Sequence, residues 1–233
     1  MAMPRSRSVR PPGADIPVSR DRRMFREKLL AWYARHGRNL PWRRTRDPYR
    51  VLVSEIMLQQ TQVDRVLPKY DEWLAKYPSL AVLAAADEDD AVRTWYPLGY
   101  NIRPRRLHAI ARESVERYSG ALPPDRDTLR RFKGIGRYTA GAVMAFAFDA
   151  REPILDTNVA RLLFRVFIGT GNLKSPAMRT RLWRLSEVLL PRRRVFDFNQ
   201  ALMDFGALVC TARRPRCLAC PLAPLCRTFP PRK

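Results

Sequence analysis

Two carboxylates, a glycine hairpin and a tight group of cysteines are the residues whose types and spacing suit chemistry. Leu129 to Asp156 reads LRRFKGIGRYTAGAVMAFAFDAREPILD. Two helical patterns flank the turn Gly134-Ile135-Gly136, where glycine permits a positive-φ bend. The start of the second helix, from about Arg137, bares backbone N–H groups able to hold a phosphate. Asp156 follows in ILDTNV, just ahead of Asn158, a residue suited to capping the next helix. A phosphate anchored near a carboxylate points to chemistry on a nucleic-acid strand; an ordinary αα-hairpin and a turn aspartate are the plainer alternative. Glu55 lies in VLVSEIMLQQTQV, a run so apolar that its carboxyl is expected to be partly desolvated, which raises its pKa toward general-acid use. A surface glutamate rarely has such neighbours.

The cysteines are spaced Cys210-x6-Cys217-x2-Cys220-x5-Cys226. Four thiolates so close in sequence can surround one metal centre. Structural zinc usually takes two short C-x2-C knuckles, and only one pair here is that tight. The wider, unequal loops suit a [4Fe–4S] cluster better. Disulfides are disfavoured in the reducing compartment expected for this chain.

Helices must position all of these groups. Apolar residues recur at helical spacing from Asp21, with Phe25, Leu29, Trp32 and Tyr33. Further helices are expected at Pro48–Thr61, Val63–Tyr77, Ser79–Ala86, Glu88–Trp95, Ile102–Tyr118, Asp127–Phe132, Tyr138–Phe148, Asn158–Phe167, Ser175–Leu190 and Phe198–Cys210. Strand-like alternation is nearly absent, so the fold class is all-α. Residues 1–20, rich in Pro, Arg and Ser, read as a basic flexible arm. The chain has 233 residues and 46% hydrophobic content, enough for two small lobes with buried cores. Lys and Arg total 44 against 22 acidic residues, a net charge of +22 that fits a polyanion partner. An arginine-rich proteome would produce the same excess, so charge alone does not decide. No apolar run is long enough to span a membrane, and the basic N-terminus lacks the apolar core of a signal peptide. A cytoplasmic, nucleoid-associated protein with no membrane partner is expected.

LPWR (Leu40–Arg43), SEIMLQQTQV (Ser54–Val63), LGY (Leu98–Tyr100), KGIGRYTAGA (Lys133–Ala142), ILDTNV (Ile154–Val159) and FNQALMDFGALVC (Phe198–Cys210) occur in that order. Together with the four cysteines they resemble the helix-hairpin-helix base-excision DNA glycosylases, and within them the A/G-specific adenine DNA glycosylases. The resemblance covers roughly Asp21 to Cys226. It implies a two-lobed fold: a six-helix barrel at 39–150, and an iron–sulfur cluster domain made of 21–38 with 151–233. The active site of the family lies between its lobes. Lys133, Gly134, Ile135, Gly136 and Arg137 would grip a phosphate of double-stranded DNA holding a mispaired or damaged base, flipped out for reaction. Glu55 would protonate the adenine ring, and Asp156 would stabilise the oxocarbenium-like sugar and direct water, with Asn158 orienting Asp156.

Tyr138 stands where bifunctional relatives carry the lysine that forms a Schiff base. A phenol cannot do this, so the expected activity is monofunctional, with weak or no strand cleavage. Trp42, Arg43 and Leu58 resemble base-pocket residues. Gln59 or Gln60 would fill the gap left by the flipped base, and Tyr100 would wedge from the other side. Asn101 stands where a second aromatic often follows LGY. The chain ends seven residues after Cys226, where typical adenine glycosylases continue into a domain that reads 8-oxoguanine. A monomer is expected. The alternative is the thymine/uracil branch acting on G mispairs, although MLQQTQV is closer to the adenine branch than a basic LLRRT-like segment. A non-catalytic DNA binder is a third reading, against which both carboxylates are retained.

Duplex binding is expected to be strongly salt-dependent, affinity falling by orders of magnitude between about 50 and 200 mM salt as lysines and arginines displace counterions. Fluorescence anisotropy at several salt concentrations checks this, and a flat profile contradicts it.

Overall fold

A computed structural model describes residues 16–230. Among them the chain is all-α, with no strand. The helices are α1 (Ser19–His36), α2 (Pro48–Met57), α3 (Val63–Lys76), α4 (Leu80–Ala85), α5 (Glu88–Trp95), α6 (Ile102–Tyr118), α7 (Arg126–Leu129), α8 (Arg137–Ala147), α9 (Thr157–Leu163), α10 (Pro176–Leu189) and α11 (Val195–Leu208). A 3-10 turn covers Pro41–Arg43, and α9 runs on into a π-helical turn, Phe164–Ile168. Most of the arm expected over 1–20 lies outside the described residues, and its last two positions already belong to α1.

Short polar side chains start most of these helices. Asp47, Ser79, Asp87, Asp125, Asp156 and Ser175 each accept a bond from a backbone N–H three residues on, satisfying a donor the helix leaves over. Asp156 fills the capping role at α9, and Asn158, which could also have capped it, sits inside that helix. Helix α2 stops at Met57 rather than reaching Thr61. Leu58 and Gln59 close the end through bonds to Ser54 and Ile56 carbonyls, and Gln60 then takes φ +56°, a value no helix sustains.

The chain divides into two compact units. One comprises 37–154 with Arg192–Asn199. Its α2 is buried all round from Val51 through Met57, and mostly apolar there apart from Ser54 and Glu55, as expected of a central helix. Helices α3, α6 and α8 pack against it, and α4 and α5 pack on α6. Trp73 and Trp95 meet edge to face at 5.3 Å, Trp73 Nε1–H donates to the Tyr49 hydroxyl at 3.0 Å, and that hydroxyl donates to the Tyr77 carbonyl at 2.8 Å. The aromatic core thus keeps its polar atoms paired.

The other unit contains, among the described residues, those up to His36, Leu155–Pro191, and those from Gln200 onward. Phe25 meets Phe167 at 5.0 Å, and Trp32 meets Phe205 at 4.9 Å. Arg26 donates to the carbonyls of Val188, Leu189 and Leu190 at 2.7–3.1 Å, tying α1 to the end of α10.

Helix α8 passes close to the segment before Asp156. A Cβ on Gly141 would lie 2.9 Å from the Pro153 carbonyl oxygen. Helix propensity alone favours Gly141→Ala by about 1 kcal/mol, but this backbone collision reverses the sign. Gly141→Ala is expected to lower stability by about 1–3 kcal/mol, as measured by urea denaturation; a stabilised variant would show that the segment yields.

Candidate active site and cysteine-lined cavity

Glu55 is 4% exposed, in the last turn of α2 with Leu52, Val53, Ile56 and Met57 as its chain neighbours. On α8, which packs against α2, Tyr138 is half-buried one residue past the helix start. The hairpin before α8 is built from unlike glycines. Gly134 has φ +105°, and a Cβ there would strike the Arg106 side chain at 2.7 Å, so this position demands glycine. Gly136 has an ordinary φ of −86° and caps α8 with no side-chain bond; its value lies in leaving the helix start uncovered. Ile135 is buried and its N–H bonds to the Phe132 carbonyl at 3.1 Å. It anchors the turn, while Lys133 and Arg137 are exposed.

Trp42 is buried with its ring against Tyr70 at 5.2 Å. Arg43 is half-buried and donates to the Arg38 carbonyl at 3.0 Å. Leu58 and Gln59 are half-buried, and Gln60 is exposed. Tyr100 is 59% exposed. All these residues belong to the unit that carries Glu55.

Asp156 and Asn158 belong to the other unit. Asp156 Oδ1 accepts from the Val159 N–H at 2.6 Å, and Oδ2 accepts from Asn158 Nδ2 at 3.3 Å. Burial pushes the Asp156 carboxyl above its ordinary range, although the Val159 and Asn158 donors and the nearby Arg161 charge pull it down. Arg161 continues the network, donating to Asn158 Oδ1 at 2.8 Å, the Gly206 carbonyl at 2.7 Å and the Cys210 carbonyl at 2.9 Å. Gly206 permits this: a Cβ there would lie 2.8 Å from the Asn158 carbonyl oxygen. An unbroken hydrogen-bonded path therefore runs from the Asp156 carboxylate to the first cysteine.

All four cysteines line one cavity of about 680 Å³. Among the described residues, no three His, Cys, Asp or Glu side chains are placed to hold a single metal ion, but the shared cavity has room for a polynuclear cluster. Arg165 frames it, donating to the Thr211 carbonyl at 2.7 Å and the Ala212 carbonyl at 3.0 Å. Burial raises the Cys217 and Cys220 thiols, Cys220 to about 11, and the neighbouring cysteines add to the rise. Thiols so placed need a cation to hold them as thiolates, and the donor set fits an iron–sulfur group.

Arg161, Arg165 and Gly206 were not singled out in the sequence. The two arginines are lost among many, and their targets are distant backbone carbonyls. The signal available was FGALVC, which places a glycine four residues before a cysteine.

A family model described as "HhH-GPD superfamily base excision DNA repair protein" matches residues 53–187, and one described as "Iron-sulfur binding domain of endonuclease III" matches 210–226. The chain is 43% identical over 214 residues to an adenine DNA glycosylase of Mus musculus, covering 88% of this chain and 42% of the relative. It thus spans about two-fifths of that relative's length. It is 38% identical over 212 residues to a thymine/uracil-DNA glycosylase of Pyrobaculum aerophilum, covering 89% of this chain and 92% of the relative. A solved thermostable thymine-DNA glycosylase superimposes with a TM-score of 0.84 at 32% identity, covering 90% of this chain and 97% of the other.

Because burial raises the Asp156 pKa on folding, its contribution is favourable below the unfolded carboxylate value of about 3.9 and is lost as pH rises through the folded value. Asp156→Asn keeps a competent cap without the buried charge. The variant is expected to be more stable than the parent at about pH 7, the gap closing toward about pH 4. Urea melts across that range test this, and a less stable variant at neutral pH would mean that lost hydrogen bonds outweigh desolvation.

Proposed function

The chain belongs to the HhH-GPD superfamily of base excision DNA repair proteins, and from that premise we propose that it is a monofunctional DNA glycosylase removing adenine mispaired with G or 8-oxoguanine. One observation carries the reading: a carboxyl buried in an apolar helix and a second carboxylate held by amide donors occupy the two matching motifs. Glu55, buried on α2, delivers a proton to the adenine ring and makes the base a better leaving group. Asp156 places negative charge beside the sugar as it becomes cationic, and aligns the water that completes hydrolysis. Asn158 holds the Asp156 carboxylate in orientation. Tyr138 has no amine, so no Schiff base forms and the strand stays intact.

The Lys133–Arg137 hairpin takes a phosphate of the duplex on the uncovered start of α8. Gln59, Gln60 and Tyr100 occupy the space left by the flipped nucleotide. Arg43 and Leu58 contact the base, and the buried Trp42 forms the wall behind them. Cys210, Cys217, Cys220 and Cys226 hold a [4Fe–4S] cluster, which when bound supplies a structural tie with no open position for hydrolysis. The protein works as a monomer on nucleoid DNA.

The higher identity to the adenine DNA glycosylase of Mus musculus, 43% against 38% for the thymine/uracil relative, supports adenine as the target. A second reading, removal of thymine or uracil opposite G, is favoured by the thymine/uracil relative, which the chain matches over nearly its whole length.

Base release from duplexes with A:8-oxoguanine, A:G, T:G, U:G or A:T, with and without alkali, separates the readings. Adenine release with strand breaks only after alkali is the expected result; release of T or U opposite G transfers the protein to the pyrimidine branch. Asp156→Asn is expected to cut release by about 1,000-fold or more, the scale of losing a transition-state electrostatic partner, while duplex affinity stays near that of the parent. A parallel loss of affinity would make Asp156 structural.

A further inference from the structure

Arg103 lies in the first turn of α6 and is 4% exposed. Its guanidinium bonds carbonyls and one hydroxyl, dividing its two amino groups between two chain segments. Nη1 lies within 3.2 Å of the carbonyls of Ile56, Met57 and Gln59 and of the Thr61 hydroxyl. Nη2 donates to the carbonyls of Leu98 at 3.1 Å and Gly99 at 3.0 Å. The cation also lies 5.3 Å from the Trp95 ring centre and 5.4 Å from that of Tyr100. Each segment ends in a non-glycine residue with positive φ: Gln60 at +56° and Tyr100 at +52°. Such conformations persist only where surroundings impose them, and they gather at functional sites. Both residues are exposed.

We propose that Arg103 is a positioning residue for duplex opening: one guanidinium sets the Gln59–Gln60 turn and the Leu98–Tyr100 turn as a single rigid pair, pre-formed to enter the base stack as the target nucleotide leaves. This rests on the glycosylase reading above. Rigidity in the unbound protein removes an ordering cost that binding would otherwise carry. A lysine keeps the charge but has no planar fork to reach both segments.

The test compares Arg103→Lys with the parent in four measurements: circular dichroism, duplex affinity, fluorescence of 2-aminopurine at the target position, and single-turnover base release. Release is measured from a mispaired duplex and from a target in an unpaired bubble. The expected variant folds, binds duplex like the parent because its charge is unchanged, and fails to raise 2-aminopurine fluorescence. Its release from the mispair falls about 100-fold, the scale of a small misplacement, and release from the bubble recovers. Equal losses on both substrates, or a fluorescence rise like the parent's, overturn the assignment. A parent that unstacks 2-aminopurine yet releases no base defeats the enzyme reading alone; a parent that unstacks nothing defeats both. Should Arg103→Lys not fold, Thr61→Val removes one Nη1 acceptor with little change of shape. It is expected to slow mispair release about fivefold, the effect of one hydrogen bond, and to spare the bubble; unchanged mispair release in that variant overturns the assignment.

Discussion

Arginine side chains meet backbone carbonyls that the helices of this protein leave without a partner. An α-helix cannot satisfy its own last four carbonyls, and a chain made almost wholly of short helices has many such ends. Arg26 closes the end of α10 and Arg103 the end of α2, while Arg161 and Arg165 bond the carbonyls that follow α11. Each guanidinium reaches two or more oxygens at once, which its planar array of donors allows and a lysine would not. The arginine excess therefore has two uses. Part of it faces outward, where it favours a polyanion; part is turned inward, where it shapes the turns that carry functional side chains.

The same device operates near each candidate carboxylate by a different route. Glu55 is buried near the end of α2, and Arg103 bonds the carbonyls of Ile56 and Met57 just beyond it. Around Asp156 the polar atoms are linked in series, from capped N–H through Asn158 to Arg161 and the Cys210 backbone. Both carboxyls are thereby withdrawn from water, and the donors around Asp156 offset part of what burial costs its charge.

Much of this was legible in the sequence because it depends on local pattern. The apolar run around Glu55 gave away a buried helix, the Gly-Ile-Gly turn a hairpin, and the cysteine spacing a shared centre. The misplaced details were those governed by distant residues. The end of α2 was set too late because the carbonyls of Met57 and Gln59 are drawn to Arg103, more than forty positions away. Asn and Asp serve equally well as caps, so only the backbone geometry decides that Asp156 rather than Asn158 holds that place. The hairpin glycines read alike but differ: one needs positive φ, the other an uncovered helix start. No periodicity marks which arginines face inward.

Arg103 grips its two turns almost entirely through main-chain oxygens, Thr61 being the side-chain exception. The frame is consequently indifferent to what most positions on those turns carry. Residues 59, 60, 100 and 101 can change identity over evolutionary time while the loops keep their shape, provided the backbone can still adopt its left-handed positions. A scaffold of this kind separates heritable stability from heritable surface character: the exposed side chains can drift without reopening the fold. A single substitution at the arginine has no comparable latitude, since it would alter both turns at once.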